Sequence, residues 1–138
     1  MDKVLIDNFN SLVKPGDKTY HLGDFTFKDK DYYLKQLNGE HIFIKGNHDR
    51  FFIKDDILEI KIEGEFIVLC HYPLCVWNKS HFNSWHLYGH VHNSKMFDVG
   101  KKYNVGVDAN AYFPLPFTTI KRIMSFSGNN LNYIGNRK

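Results

Sequence analysis

Cysteine is scarce: Cys70 and Cys75 are the whole complement of 138 residues. Neither a disulfide framework nor a four-cysteine zinc site can be built from two thiols. Cys70 sits within the apolar run Phe66-Ile67-Val68-Leu69, where a buried free thiol is the ordinary reading, and a reducing, cytoplasmic compartment fits that usage. The sequence also lacks an apolar stretch near the roughly 18 residues of a membrane span, and it has no charged-then-apolar leader. Neither membrane insertion nor export is expected. Runs of like charge are missing too. The 18 basic and 15 acidic residues are scattered, giving a net charge of +3, so there is no basic stripe for nucleic acid. Repeats, low-complexity segments and linkers are absent. What is present is apolar mass, 43% hydrophobic and 16% aromatic residues, enough for one compact domain over residues 1–138.

Periodicity places the elements. Leu5, Phe9, Leu12 and Val13 recur at helical spacing, so a helix should end before Pro15-Gly16. Thr19 to Leu22 reads as a strand. Lys28 to Asn38 reads as a second helix, with Asp29 and Asp31 in its first turn and Gly39 past its end. His41 to Lys45 is a strand, and Ile57 to Ile62 with Phe66 to Cys70 form a hairpin turned at Glu63-Gly64-Glu65. Trp85 to Tyr88 and Tyr103 to Val107 supply further strands, and Thr119 to Met124 a last helix. The tail Ser127-Gly128-Asn129-Asn130 leads into a short strand or frays. This order predicts a layered α/β fold, whose sites lie beyond the carboxyl ends of strands.

Histidine is abundant, with eight residues, four of them in the short segments His48-Asp49, His71-Tyr72-Pro73 and His90-Val91-His92. Four apolar runs end in ligand-type residues: Tyr20-His21-Leu22-Gly23-Asp24, Ile42-Phe43-Ile44-Lys45-Gly46-Asn47-His48-Asp49, Ile67-Val68-Leu69-Cys70-His71 and Leu87-Tyr88-Gly89-His90-Val91-His92. Three of these carry glycine just before the ligand, as expected where backbone turns sharply toward an ion or phosphate.

In order and company these segments resemble the calcineurin-like metallophosphoesterases, whose later motifs are GD, GNH(D/E), H and GHxH. Leu5 to Asp17 and Asn104-Val105-Gly106-Val107-Asp108 look like the small bacterial and phage members. The resemblance implies a four-layer α/β/β/α sandwich and a phosphoesterase that cleaves a phosphomonoester or phosphodiester at two divalent ions. Asp24 would bridge the ions. Asn47, His71 and His90 would complete one site, and His92 would serve the other. There the family adds an Asp-x-His motif from a first strand, and the first twenty residues contain none, so the expectation is a domain without its N-terminal strand and with an incomplete second site. Asp2 and Asp7 read as helix cap and solvated face. His48 would be the proton donor to the leaving alkoxide, with Asp49 supporting its imidazolium.

Oxygen and nitrogen donors without thiolate suit manganese best, with iron, zinc or nickel also compatible. Two such ions activate water and clamp phosphoryl oxygens. A small phosphoester, a nucleotide or a nucleic-acid end is the expected substrate, and no membrane partner is expected. Each residue also has a plainer reading. Asp24 and Asn47 are common turn formers, and His71 could be a satisfied strand-end histidine. His21, His41, His81 and His86 fall on no motif and read as half-exposed, His21 being a possible contact behind the ligands. A zinc knuckle from Cys70, His71, Cys75 and His81 matches no known spacing. Phe51, Phe52, Trp77, Phe82 and Trp85 could stack a base, or anchor core and loops. Lys45 and Arg50 could contact phosphate or stay solvated. The competing function is a non-catalytic module holding one metal or a phosphate. A third possibility, a fragment that barely folds, follows if an inner strand is missing.

Overall fold

The computed structural model describes residues 2–22, 30–46, 56–89, 99–106, 110 and 113–135. The chain opens on helix α1, Asp2–Leu12. Phe9, and Val13 just past its end, are the buried anchors, whereas Leu12 of the same apolar set is exposed. A tight turn follows, in which the Asp17 carboxylate accepts from the Lys14 amide at 2.9 Å. The next strand, β1 (Lys18–His21), pairs in parallel with β2 (Glu40–Phe43), from Lys18 opposite Glu40 to His21 opposite Phe43. Parallel neighbours need a crossover. Helix α2, Lys30–Leu34, lies on it and ends at Leu34, before the expected Asn38. The cause is a change of hydrogen bonding: after Lys35 donates to Asp31, Gln36 and Leu37 donate only three residues back, to Tyr33 and Leu34. The last turn is therefore 3₁₀. Asn38 then interlocks with α1, its amide donating to Asn10 Oδ1 at 2.8 Å and its side chain to the Val13 carbonyl at 3.0 Å. Gly39 is required here: φ is +93°, and a Cβ would stand 2.5 Å from the Asp17 carbonyl oxygen.

The second sheet has the order β3-β4-β5-β6. Strands β3 (Ile57–Ile62) and β4 (Glu65–Cys70) form the expected antiparallel hairpin. Strands β5 (Trp85–Tyr88) and β6 (Lys102–Asn104) add in parallel. All of β5 is buried, as is β4 from Ile67 onward, the signature of strands covered on both faces. Ile67, Leu69, Trp85 and Leu87 share one face and cluster with Leu22 and Ile44, which lie just past β1 and β2, and with Ile120 and Met124 of α3 (Phe117–Phe126). Helix α3 is longer at both ends than the segment Thr119 to Met124 read from sequence, and β6 is shorter than Tyr103 to Val107.

Among the described residues, the segment 71–84, with a 3₁₀ turn at Ser80–Phe82, covers the opposite face of this sheet. His86, read as half-exposed, is fully buried there. Its Nδ1–H donates to the Val68 carbonyl at 2.9 Å, and its Nε2 accepts from the Leu74 amide at 3.1 Å. Buried Lys102 donates to the Leu74 carbonyl at 3.1 Å. Trp77 packs on His86 with centroids 5.0 Å apart, and its indole N–H donates to Ser84. The tail does not fray. Buried Asn130 donates to the Ser80 and Ser84 carbonyls, and Ile134 donates to His81. Cys70 is buried and free, as expected. The described elements thus make a mixed α/β fold of two sheets, three α-helices and one 3₁₀ turn.

On the α1 side of the small sheet, the His21 and His41 rings approach to 2.9 Å between Nε2 and Nδ1, with Phe9 and Phe43 stacked against them. Burial, and then repulsion from His41, pushes His21 down to about 3. Burial likewise pushes His86 down to about 4, with Lys102 adding to the shift and hydrogen bonds to backbone opposing it. Both imidazoles fold neutral, whereas in the unfolded chain they take up protons near pH 6.5. Their contribution is complete above pH 6.5 and is lost as pH falls toward 4 and 3. Urea denaturation should therefore show stability falling by a few kcal/mol between about pH 7 and 4.5. His86→Gln should flatten that slope; an unchanged slope would remove His86 as its source.

Candidate functional site

Four strand ends meet. The chain leaves β1 at buried Leu22 and leaves β2 through Ile44, whose amide donates to the His21 carbonyl at 2.8 Å, continuing to Lys45 and buried Gly46. It leaves β4 at His71 and β5 at Gly89, and the Gly89 amide donates to the His71 carbonyl at 3.0 Å. One strand over, Val105 donates to Tyr88 at 2.9 Å. All five exits lie at carboxyl ends of parallel-paired strands, where α/β folds place their sites.

His71 joins the two sheets. In the register that sets Leu69 opposite Leu87, His71 follows on the core-facing side of β4. The ring is 3% exposed, and its Nδ1 lies 2.7 Å from the Leu22 carbonyl oxygen. A carbonyl only accepts, so Nδ1 is the donor in this bond. Tyr72 meets the ring edge-on at 4.9 Å. A backbone acceptor on one ring nitrogen fixes the orientation of the imidazole, as backbone carbonyls also do for histidines at metal sites.

Of the site residues expected from sequence, His71 is described, and Asp24, Asn47, His48, Asp49, His90 and His92 lie outside the described residues, as does Arg50. Leu22, Gly46 and Gly89 are the described residues that lead into those segments. Among the described residues no group of three or more His, Cys, Asp or Glu side chains could hold a metal. Cys70, His71, Cys75 and His81 are all described, so they form no zinc knuckle. His21 stacks with Phe9 of α1, while the next residue, Leu22, faces the core.

Gly89 also departs from expectation. It is absent from the positive-φ glycines, and a Cβ there would meet the Leu22 carbonyl oxygen at 3.7 Å and His71 Nδ1 at 3.8 Å, which is ordinary contact. Folding does not demand glycine here. His86 was missed as a supporting residue because β5 is buried on both faces, and Trp-His-Leu-Tyr then shows no alternation to read.

No protein-family model matches the chain. The uncharacterized protein MJ1445 of Methanocaldococcus jannaschii is 32% identical over 135 residues, an alignment spanning 90% of this chain and 75% of that one. The chain belongs to the MJ1445 family. This member is also similar to the solved structure of the protein of unknown function AQ665 from Aquifex aeolicus, with 29% identity and a TM-score of 0.70 over 88% of this chain and 84% of that one. A single mutant of Vps29 from Entamoeba histolytica is 22% identical with a TM-score of 0.54, over 75% of this chain and 62% of its own. Vps29 has the calcineurin-like metallophosphoesterase fold, and the likeness is one of fold alone.

For the MJ1445-family chain the glycines give a direct test. Gly39→Ala should cost more than about 1 kcal/mol in denaturant titrations, and Gly89→Ala should stay within about 1 kcal/mol of the parent. If Gly89→Ala unfolds the protein, the backbone there needs glycine after all.

Proposed function

We propose that this chain is a metal-dependent phosphoesterase, hydrolysing a phosphomonoester or phosphodiester at a centre held by Asp24, Asn47, His71, His90 and His92. The observation that carries the reading is the buried His71 ring, fixed through Nδ1 to the Leu22 carbonyl at 2.7 Å beside the ends of β1 and β5. The Vps29 likeness supports it at the level of fold. The donor set of one carboxylate, one amide oxygen and three imidazoles, with no thiolate, fits manganese, and also iron, zinc or nickel. When bound, two such ions supply Lewis acidity and an activated water. The chain's own residues do the rest. Asp24 offers the carboxylate that offsets paired positive charge. His48 delivers a proton to the departing alkoxide oxygen, and Asp49 stabilises the imidazolium form that donates it. The substrate is a small phosphoester, a nucleotide or a nucleic-acid end.

A second reading rests on the ligand count. Asp24, Asn47, His71 and His90 make a full donor set for one ion, whereas Asp24 and His92 are the donors assigned to a second. Two protein ligands hold a divalent ion weakly. That reading is a single-metal or phosphate-binding module on the same fold.

Calorimetric titration with manganese should give about one tight ion per chain. Hydrolysis of an aryl phosphoester should require the ion and vanish in excess chelator; undiminished turnover there would end the metal mechanism. Asp24→Asn should abolish metal binding and turnover together, whereas His48→Ala should lower turnover roughly 10²–10⁴-fold with metal retained. Equal loss of metal in both variants would make His48 a ligand. Tight metal with no turnover on any phosphoester class would favour the second reading.

A further inference from the structure

We propose that the outer edge of β3 pairs antiparallel with β3 of a second copy of this chain, about a two-fold axis through Ile60, so that Glu59 of each copy faces Lys61 of the other. Strand β3 is terminal in the order β3-β4-β5-β6. Among the described residues no strand lies beyond it, and such an edge presents a row of backbone donors and acceptors to any matching strand.

The hairpin turn decides which groups face outward. Glu63 and Gly64 have φ of 51° and 86°, a primed two-residue turn that closes on the pair Ile62 and Glu65. In such a hairpin the closing pair exchanges both hydrogen bonds, and hydrogen-bonded pairs then alternate along the ladder. Ile62, Ile60 and Leu58 therefore turn their N–H and C=O groups to β4. Lys61, Glu59 and Ile57 turn theirs outward. The side chains divide the same way: Ile57, Glu59 and Lys61 are exposed on the outer face, and Leu58, Ile60 and Ile62 are half-buried against the core.

Charge then selects the register. A two-fold axis at Glu59 or at Lys61 would set each against its own copy, and like charges directly opposite are destabilising. An axis at Ile60 creates two Glu59–Lys61 pairs, and those are the residues whose backbone groups point outward, so each pair can also exchange two hydrogen bonds. In the same register Leu58 lies opposite Ile62, which extends the apolar face across the axis. A lone edge lysine guards against pairing. An edge with glutamate two positions before the lysine is complementary to itself, and the result is an isologous, closed interface. Asn78 donates to Glu59 Oε1 at 3.0 Å and steadies that carboxylate on the outer face.

The ribbon is short, so association should be weak, with a dissociation constant of about tens of micromolar. Sedimentation velocity of the full chain from about 5 to 300 μM should show the mass rising from 16.3 kDa toward twice that value. Lys61→Glu sets glutamates against each other and should weaken association about thirtyfold; the double variant Glu59→Lys/Lys61→Glu should return to within about threefold of the parent. Circular dichroism would check that both remain folded. A parent that stays monomeric throughout, a Lys61→Glu variant that associates as tightly as the parent, or a folded double variant that does not recover would each overturn the proposal.

Discussion

A buried hydrogen bond from His71 to the Leu22 carbonyl ties the two sheets together where their carboxyl ends meet. The sheets share no ladder. Beside this bond, among the described residues, a common apolar cluster holds them, and it fixes distance but not orientation, because burial is non-directional. The bond supplies orientation. Left unmade, it would strand a buried imidazole donor and a backbone acceptor at about 1–3 kcal/mol. The same bond fixes the orientation of the ring, so one contact both joins the sheets and sets where the imidazole points.

The strand end carrying His71 is braced on its other side as well. His86 and Lys102, on neighbouring strands, take the amide and the carbonyl of Leu74, three residues beyond His71. Trp77, Ser80, Ser84 and Asn130 extend the network into the tail. A loop built of exposed residues would wander; this one is fastened by buried polar groups whose partners are all inside the chain. The likeness to Vps29 concerns this scaffold, and a fold hosts many activities, so function has to be argued from the ligands rather than from the scaffold.

Much of this was legible in the sequence. The hairpin and β5 stood out because four-to-six-residue apolar runs were separated by turn residues, and α1 because Phe9 and Val13 keep helical spacing ahead of Pro15-Gly16. The apolar run before His71 pointed to a strand ending there, and β4 ends at Cys70. What sequence concealed was tertiary. The tightening of α2 depends on Asn38 reaching back to α1, across 28 positions to Asn10 and 25 to Val13. Docking of the tail depends on Asn130 finding carbonyls 46 and 50 residues away. The burial of His86 depends on a loop that carries no periodic signal. No local pattern encodes such contacts, because each partner looks like an ordinary polar residue until the chain is closed.

The separation of His71 from Leu22 has a kinetic meaning. The two are 49 positions apart, and between them lie one parallel crossover and the whole β3–β4 hairpin. The hairpin can form by itself within microseconds, since its turn needs only neighbours, whereas parallel pairing must first meet the entropy of closing a long loop. Strand ends that belong to different sheets come into register last. The His71 ring is locked against Leu22 only in a molecule whose assembly is complete, and in a partly folded chain it still swings.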